Sequence, residues 1–294
     1  MQFCDYVQTN QFAKRFMKLF SFYISFFRRW LRYYLRAGTW HDVHSPFVSR
    51  LMEEVVENRR VYYTYFIIEK LREKLLNNPS KITITDHGAG SKITDASQRR
   101  ISDLAKNSAI AAHQGKQLFN LVRMTKPKTM LEFGTSLGIS ALYQAGAAPL
   151  ARFITMEGCP NTARVASNNL KNLGMNNIEV MQGPFRDNLP KALNSLQKVD
   201  FIFLDGDHQE GATMSYFEQC LPYLHDDSVF VIADIYWSAS MAKVWQSLKS
   251  HPQVTLSIDL FHFGILFFRS ENRVKQDFTL IKYKLKPWRL GFFQ

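Results

Sequence analysis

The chain of 294 residues has few cysteines: Cys4, Cys159 and Cys220, which lie far apart. Their number is odd, and none of them sits at the short spacing of zinc ligands. A disulfide framework in a small secreted domain needs many more cysteines at closer spacing. The three cysteines therefore exclude a cysteine-ligated metal site and a disulfide scaffold, and they indicate a reducing, cytosolic compartment.

Long apolar runs are also absent. A membrane-spanning helix needs about 20 apolar residues, and the best run here is LFSFYISFF at 19–27. Internal repeats and low-complexity linkers are missing as well. With 46% apolar residues, the chain can bury a substantial core. Its length predicts about two domains, or one large domain with an extension.

Acidic residues are scarce at the start of the chain. Residues 1–50 hold eight Lys or Arg against Asp5 and Asp42, which is +6 of the total net charge of +12. Apolar residues recur at spacings of three and four over 11–37, which predicts a basic amphipathic helix. Two interpretations stay open: the aromatic side packs on the rest of the protein, or the helix attaches to a membrane surface.

Strands and helices alternate from Lys128 onward. Strands are predicted at 129–133, 152–156, 178–181, 199–204, 228–233, 254–261 and 263–269, and helices at 138–147, 160–173, 211–224 and 239–250. Upstream, 50–76 and 95–124 have helical character. The pattern predicts an α/β fold, with a Rossmann-like, seven-stranded, mostly parallel sheet that ends in an antiparallel hairpin. We expect an N-terminal helical extension over 1–80 and a second domain over 81–294.

Two glycine turns are candidates for the ligand-binding loop. DHGAGSK (86–92) follows only a short strand-like run, KITIT. GTSLGIS (134–140) follows a predicted strand and opens a helix, and the next strand ends in Glu157-Gly158, the position of an acid that binds ribose hydroxyls. The spacing is not G-x-G-x-x-G, and Glu132 before the turn suits an ammonium group. S-adenosylmethionine, with its carboxylate, amine and ribose, fits this turn better than a dinucleotide does.

Four segments resemble the successive signatures of class I S-adenosylmethionine-dependent methyltransferases, nearest the catechol-type O-methyltransferase branch. They are LEFGTSLGIS, TMEGCP, FIFLDGDHQ and VIADIYW, and the resemblance covers about 108–270. It implies a set of cofactor-binding residues: Glu132, Gly134, Ser136, Gly138, Ser140, Glu157, Gly158, Phe185 and Asp205. Ser140 would hold the methionine carboxylate, Glu157 the ribose, and the Gln182–Phe185 turn the adenine.

The resemblance also implies where the reaction occurs. Asp205 would lie near the reacting methyl group, and His208 would take a proton from the acceptor or merely shape the pocket. Catechol-type enzymes place a divalent metal on an Asp and a later Asp-Asn pair, and here that pair reads Asp234-Ile235. Because Ile235 cannot ligate a metal, Mg²⁺ on Asp205 and Asp234 stays an open expectation.

The sequence thus predicts a methyltransferase that acts on a small molecule, most simply by O-methylation. The competing hypothesis is a non-catalytic binding or membrane-associated interaction protein on the same scaffold. A nucleic-acid substrate is not expected, since no Asn-Pro-Pro-Tyr-like loop is present. Homo-oligomer formation and peripheral membrane contact through 11–37 stay open. DHGAGSK is predicted either to close over the domain or to bind an anion through Ser91 and Lys92.

Overall fold

The computed structural model describes residues 2–85, 98–286 and 288; in the first helix, side chains are described at 17 and from 20 onward. The helices are α1 (Gln2–Arg36), α2 (Pro46–Leu51), α3 (Tyr63–Leu76), α4 (Ile101–Asn107), α5 (Ala112–Thr125), α6 (Ile139–Ala147), α7 (Pro160–Asn172), α8 (Phe185–Leu196), α9 (Glu210–Cys220) and α10 (Ala239–Ser250). A π-helical turn, Met52–Val56, continues α2.

The strands form two sheets. They are β1 (Lys81–Thr83), β2 (Gln98–Arg100), β3 (Thr129–Phe133), β4 (Arg152–Glu157), β5 (Ile178–Gln182), β6 (Phe201–Leu204), β7 (Val229–Ala233), β8 (Leu256–Asp259), β9 (Phe263–Phe267) and β10 (Gln276–Thr279). β1 and β2 pair antiparallel. The other eight form one sheet in the order β10-β8-β9-β7-β6-β3-β4-β5.

The order in which the strands are added reverses at the centre of the large sheet. From β3 the chain proceeds outward through β4 and β5, and it then returns to β6 and β7 on the other side of β3, with all five strands parallel. β9 is antiparallel to its neighbours β7 and β8. The reversal between β3 and β6 opens a crevice at the carboxyl ends of the strands, where ligands bind in open α/β sheets.

Both faces of the sheet are buried, because successive strand residues point to opposite sides. Met130 and Phe203 face one cluster, which includes side chains from α5 and α6. Leu131 and Ile202 face a second cluster with α8, α9 and α10. Helices on both faces of a mostly parallel sheet are the layered α/β architecture that the alternating pattern predicts.

The predicted α/β fold is confirmed, with one correction: the large sheet has eight strands rather than seven. The missed strand, β10, reads QDFT and has one apolar residue, Phe278. Its Asp277 accepts hydrogen bonds from Ser257 Oγ at 2.7 Å and Lys249 Nζ at 2.6 Å. A polar edge strand lacks the apolar pattern that marks a strand in a sequence.

Three helical predictions change in detail. Within the helical character predicted over 95–124, the described residues from 98 onward form β2, α4 and α5, and the segment predicted over 50–76 divides into α2 with its π turn and α3. α8 lies where no helix was predicted, and Pro190 is inside it. Proline removes one intrahelical hydrogen bond, so its presence is typical of a break rather than of a helix.

The N-terminal region shares the core of the rest. Val48, Leu51 and Ile68 are fully buried in the same cluster as the sheet residues. The boundary at residue 80 stays a prediction. DHGAGSK (86–92) lies outside the described residues. In the described part of the chain, no helix is both long and apolar enough to cross a membrane.

Candidate active site

The turn after β3 brings its backbone against the end of β6. Gly134 has φ +94°, and a Cβ there would stand 2.3 Å from the carbonyl oxygen of Asp205. The amide of Asp205 in turn donates to the carbonyl of Phe133 at 2.9 Å. Only glycine allows this close approach together with a positive φ. The first predicted cofactor glycine therefore lies beside the predicted reaction centre.

The same turn leads into the N-terminus of α6. Gly138 precedes the helix with φ +87°, and Ser140 lies in its first turn, 6% exposed. The first backbone N–H groups of a helix lack intrahelical partners and favour an anion. A methionine carboxylate is such an anion, so the predicted roles of Gly138 and Ser140 fit the local geometry.

Glu157 connects two turns at the mouth of the crevice. Its Oε2 accepts a hydrogen bond from the amide of Ser136 at 2.8 Å, and its Oε1 accepts one from the amide of Cys159 at 2.9 Å. The parallel pairing of β3 with β4 places the ends of these strands side by side. The carboxylate is partly exposed. A fixed, accessible carboxylate at the end of β4 suits ribose hydroxyls.

Glu132 lies deeper than the other predicted cofactor residues. It is fully buried, and its carboxylate accepts hydrogen bonds from Gln144 Nε2 at 2.7 Å and Thr155 Oγ1 at 2.6 Å. Burial raises the pKa of Glu132 to about 7, although these hydrogen bonds oppose the shift. Sequence reasoning missed Gln144 and Thr155, which hold this acid in place behind the glycine turn.

Glu132 makes the stability of the free protein depend on pH. An unfolded Glu has a pKa of about 4.3, whereas burial raises the folded pKa of Glu132 to about 7. Between these values the folded state binds more protons, so the free energy of unfolding falls as pH rises, by about 4 kcal/mol in total. We expect Glu132→Gln to remove this dependence and to stabilise the protein by up to that amount at pH 8.

Urea unfolding without cofactor, at pH 5 and pH 8, measures the effect. Glu179→Gln, at an exposed position of β5, is the matched control and should change neither value. If the free energy of unfolding changes between pH 5 and pH 8 by the same amount in Glu132→Gln as in the wild type, the pKa of folded Glu132 is not raised to this extent.

Three titratable side chains converge where β6 and β7 end. Asp205 follows β6, Asp234 follows β7, and His208 follows Asp205 by three residues. One ligand atom from each lies within 4.8 Å of the others, and His208 Nε2 is 3.8 Å from Asp205 Oδ1. Among the described residues, His208 Nδ1 is buried without a hydrogen-bond partner. The structure thus brings together the predicted catalytic pair and both predicted metal-binding acids.

Burial shifts all three groups toward their neutral forms. It raises the pKa of Asp205, and the charges of Asp234 and Glu132 add to that shift. Burial raises the pKa of Asp234 against the opposing charge of His208. Burial lowers the pKa of His208, opposed by Asp234 and Asp207. A neutral imidazole has a lone pair that can accept a proton.

Asp234-Ile235 has the geometry of a tight turn. Asp234 adopts φ +53°, and its amide donates to the carbonyl of His262 at 2.8 Å. Ile235 is fully buried in the core cluster under α10. It therefore offers no donor to the site, and His208 supplies the third donor of the cluster instead.

Phe185 begins α8 and lies against Gly206, next to Asp205. A Cβ on Gly206 would come within 2.8 Å of the Phe185 ring. The ring also packs edge-to-face on Phe133 at 5.6 Å and on Tyr216 at 6.0 Å. The predicted adenine-flanking residue is thus part of an aromatic wall on one side of the crevice.

Tyr236 and Trp237 follow Asp234 after β7 and form a rim that contacts α1. Phe22 packs edge-to-face on Trp237 at 5.2 Å, and Arg29 Nε donates to the carbonyl of Tyr236 at 2.9 Å. Tyr236 also donates from its hydroxyl to Asp259 Oδ2 at 2.5 Å. No local motif in the sequence indicates that the N-terminal helix supports this aromatic pair.

A histidine pair near Asp234 was also missed. His262 Nε2 lies 2.7 Å from Gln117 Oε1, and its ring meets that of His113 at 5.6 Å. Burial lowers the pKa of His262 to about 3, with His113 and Lys282 adding to the shift. His262 is therefore a neutral residue whose backbone positions Asp234. These residues come from separate elements, and no sequence spacing links them.

Comparisons with known proteins agree with this geometry. The family described as "Methyltransferase domain" matches residues 131–235. The catechol O-methyltransferase of Mycobacterium tuberculosis (strain ATCC 25618 / H37Rv) is 32% identical over 129 residues, 43% of this chain and 57% of the relative. That of Niastella koreensis is 33% identical over 102 residues, 34% of this chain and 46% of the relative. The chain spans about half the length of these curated relatives.

Solved structures share the fold at lower identity. The O-methyltransferase from Bacillus cereus, in complex with SAH, has a TM-score of 0.51 at 19% identity, over 71% of this chain and 91% of that one. The SAH-bound methyltransferase PaMTH1 of Podospora anserina has a TM-score of 0.54 at 15% identity, over 78% and 97%. At this identity the likeness concerns the fold alone.

The matched segment, residues 131–235, is similar to a methyltransferase domain, and it contains the crevice at the carboxyl ends of β3 and β6. The relatives that this part of the chain resembles are catechol O-methyltransferases. The resemblance predicted from the four signatures is confirmed. The roles of the individual site residues stay predictions.

Proposed function

We propose that the protein transfers a methyl group from S-adenosylmethionine to a hydroxyl oxygen of a small molecule. One observation carries this proposal: Asp205, His208 and Asp234 converge beside the Gly134 turn. A polar cluster next to a cofactor loop suits deprotonation of an acceptor better than simple retention of a ligand.

The cofactor site is proposed from the residues around the crevice. The N-terminus of α6, with Ser140, suits the methionine carboxylate, and Glu157 suits the ribose. The Phe185 ring offers an aromatic face for the adenine. Bound S-adenosylmethionine would supply a methyl group on a sulfonium, open to attack by an ionised oxygen.

The chain's own residues would prepare that oxygen. The acceptor hydroxyl would bind between the acid cluster and the Tyr236–Trp237 rim, and the imidazole of His208 would take its proton. The charges of Asp234 and Asp207 favour the protonated imidazole and would stabilise the charge that it gains. The low-dielectric surroundings strengthen these interactions.

The same cluster has a donor set that fits a divalent cation: two carboxylates and an imidazole with a buried, unpartnered nitrogen among the described residues. Asp205, Asp234 and His208 would hold the ion, which would favour the ionised form of an acceptor hydroxyl. His208 cannot serve as ligand and proton acceptor through the same nitrogen at once, so the two arrangements differ in their need for metal.

Transfer of a labelled methyl group to catechol, with the fully methylated analogue as the control acceptor, tests the proposal. Label should enter catechol and not the control. Loss of turnover with EDTA, restored by Mg²⁺, favours the metal arrangement; turnover that resists EDTA favours His208 as the base. Cofactor binding without transfer to any of a panel of hydroxylated acceptors would instead support the non-catalytic alternative.

A further inference from the structure

One face of α1 is apolar although it is turned to solvent. We call it the outer face; it consists of Met17, Tyr23, Ile24, Phe27, Leu31 and Leu35. Four of these are more than half exposed: Met17 at 61%, Tyr23 at 64%, Phe27 at 56% and Leu35 at 67%. At about 100° per residue, the six positions fall on one side of a helix.

The other face of α1 already has a partner. Phe26 packs on Phe261 at 5.4 Å, and Tyr33 donates from its hydroxyl to the carbonyl of Leu280 at 2.6 Å. At the helix end, the buried Lys286 ammonium donates to the carbonyls of Tyr34 at 2.5 Å and Ala37 at 2.8 Å. The helix is therefore fixed to the domain, and this packing leaves the outer face exposed.

Positive charge borders the outer face. Arg28, Arg32 and Arg36 are exposed and follow one another at spacings of four, so they form a row beside the apolar residues. Residues 17–36 contain five Lys or Arg and no Asp or Glu. A second copy of this face would bring no acid to neutralise the row, whereas an anionic surface would complement it.

We propose that the outer face of α1 lies in the headgroup region of an anionic lipid bilayer. Apolar side chains flanked by arginines are the arrangement that holds a helix in the plane of a membrane interface. Each arginine near an anionic surface strengthens the attraction, by about fivefold in affinity. Because the same helix supports Tyr236 and Trp237, the rim of the crevice would be held within about one helix diameter, roughly 10 Å, of the lipid.

Vesicle flotation with the full chain tests the proposal. We use phosphatidylcholine vesicles with and without phosphatidylglycerol, and we add neither cofactor nor acceptor, so the outcome is independent of the proposed activity. Binding to the anionic vesicles should be at least tenfold tighter than to the neutral ones, and it should weaken with salt. Equal binding to both, or none to either, would overturn the proposal.

Paired variants separate the apolar and the charged contributions. Phe27→Glu with Leu31→Glu removes apolar contact, and Arg28→Glu with Arg32→Glu reverses the row; each pair should weaken vesicle binding at least tenfold. The controls are Phe66→Glu, on the exposed side of α3, and Lys191→Glu with Lys198→Glu, at exposed positions elsewhere. These should stay within about threefold of the wild type, and circular dichroism should show that all variants fold.

Two further outcomes would identify another occupant and refute the lipid proposal. Light scattering that shows a dimer, dissociated by Phe27→Glu with Leu31→Glu, would assign the outer face to a second copy of the chain. Single-stranded RNA that binds and displaces the vesicles, with loss through the arginine pair alone, would assign it to nucleic acid. Controls that lose vesicle binding as strongly as the outer-face variants would show only a general charge effect.

Discussion

Asp205→Asn is expected to lower the rate of methyl transfer by about 100-fold or more while the protein still binds S-adenosylmethionine. Asparagine keeps the size of the side chain and the backbone contact between residue 205 and Gly134. It removes a carboxylate from the cluster with His208 and Asp234. Groups that assist proton transfer contribute about 10²–10⁴-fold, and loss of a metal ligand would be at least as damaging.

The measurement is kcat with a labelled cofactor, together with the dissociation constant of S-adenosylmethionine from calorimetry. Asp227→Asn, at an exposed position, is the matched control and should leave both values unchanged. We expect the cofactor dissociation constant of Asp205→Asn to stay within about threefold of wild type. Turnover near the wild-type rate would remove Asp205 from the reaction centre.

Gly134→Ala is expected to destabilise the fold by about 3 kcal/mol. Alanine at φ +94° is strained, and its Cβ would stand 2.3 Å from the carbonyl oxygen of Asp205. The backbone strain costs about 1–3 kcal/mol, and forcing the neighbouring backbone apart adds a cost of similar size. Because that backbone leads into the acid cluster, turnover of the folded fraction should also fall.

Gly174→Ala separates these two contributions. Gly174 also has a positive φ, +71°, but a Cβ there meets nothing within 4 Å. Gly174→Ala should lower the free energy of unfolding only by the cost of backbone strain, about 1 kcal/mol. Urea unfolding followed by circular dichroism compares the two variants. Equal losses would show that the contact between residue 134 and the end of β6 is not tight.

Apolar, short strands made much of the fold predictable. β6 and β7 are buried throughout and β3 from its second residue on, and each was predicted within two residues of its observed ends. β10 was missed because its stability comes from pairing with β8 and from Asp277, neither of which leaves an apolar pattern. Local apolar patterns therefore predicted the core strands, whereas the edge strand β10 depends on tertiary pairing.

The residues of the candidate site also divide into those that local sequence patterns predict and those that tertiary packing brings together. Gly134 and Asp205 follow strands and Glu157 ends one, so the position of a strand end in the sequence already places them at one edge of the sheet. Gln144 and Thr155 around Glu132 depend on the packing of α6 and β4, which no short motif encodes. The contact of α1 with the rim joins residues more than 200 positions apart, such as Arg29 and Tyr236.

Isothermal titration of the protein with S-adenosylmethionine tests the central claim most directly, since every role proposed for the crevice depends on this ligand. We predict saturable heat with one site per chain. Glu157→Ala should weaken binding by at least about tenfold, the effect of losing a charged hydrogen bond, and Glu179→Ala should not. Absence of saturable heat, or equal affinity in Glu157→Ala, would contradict the account.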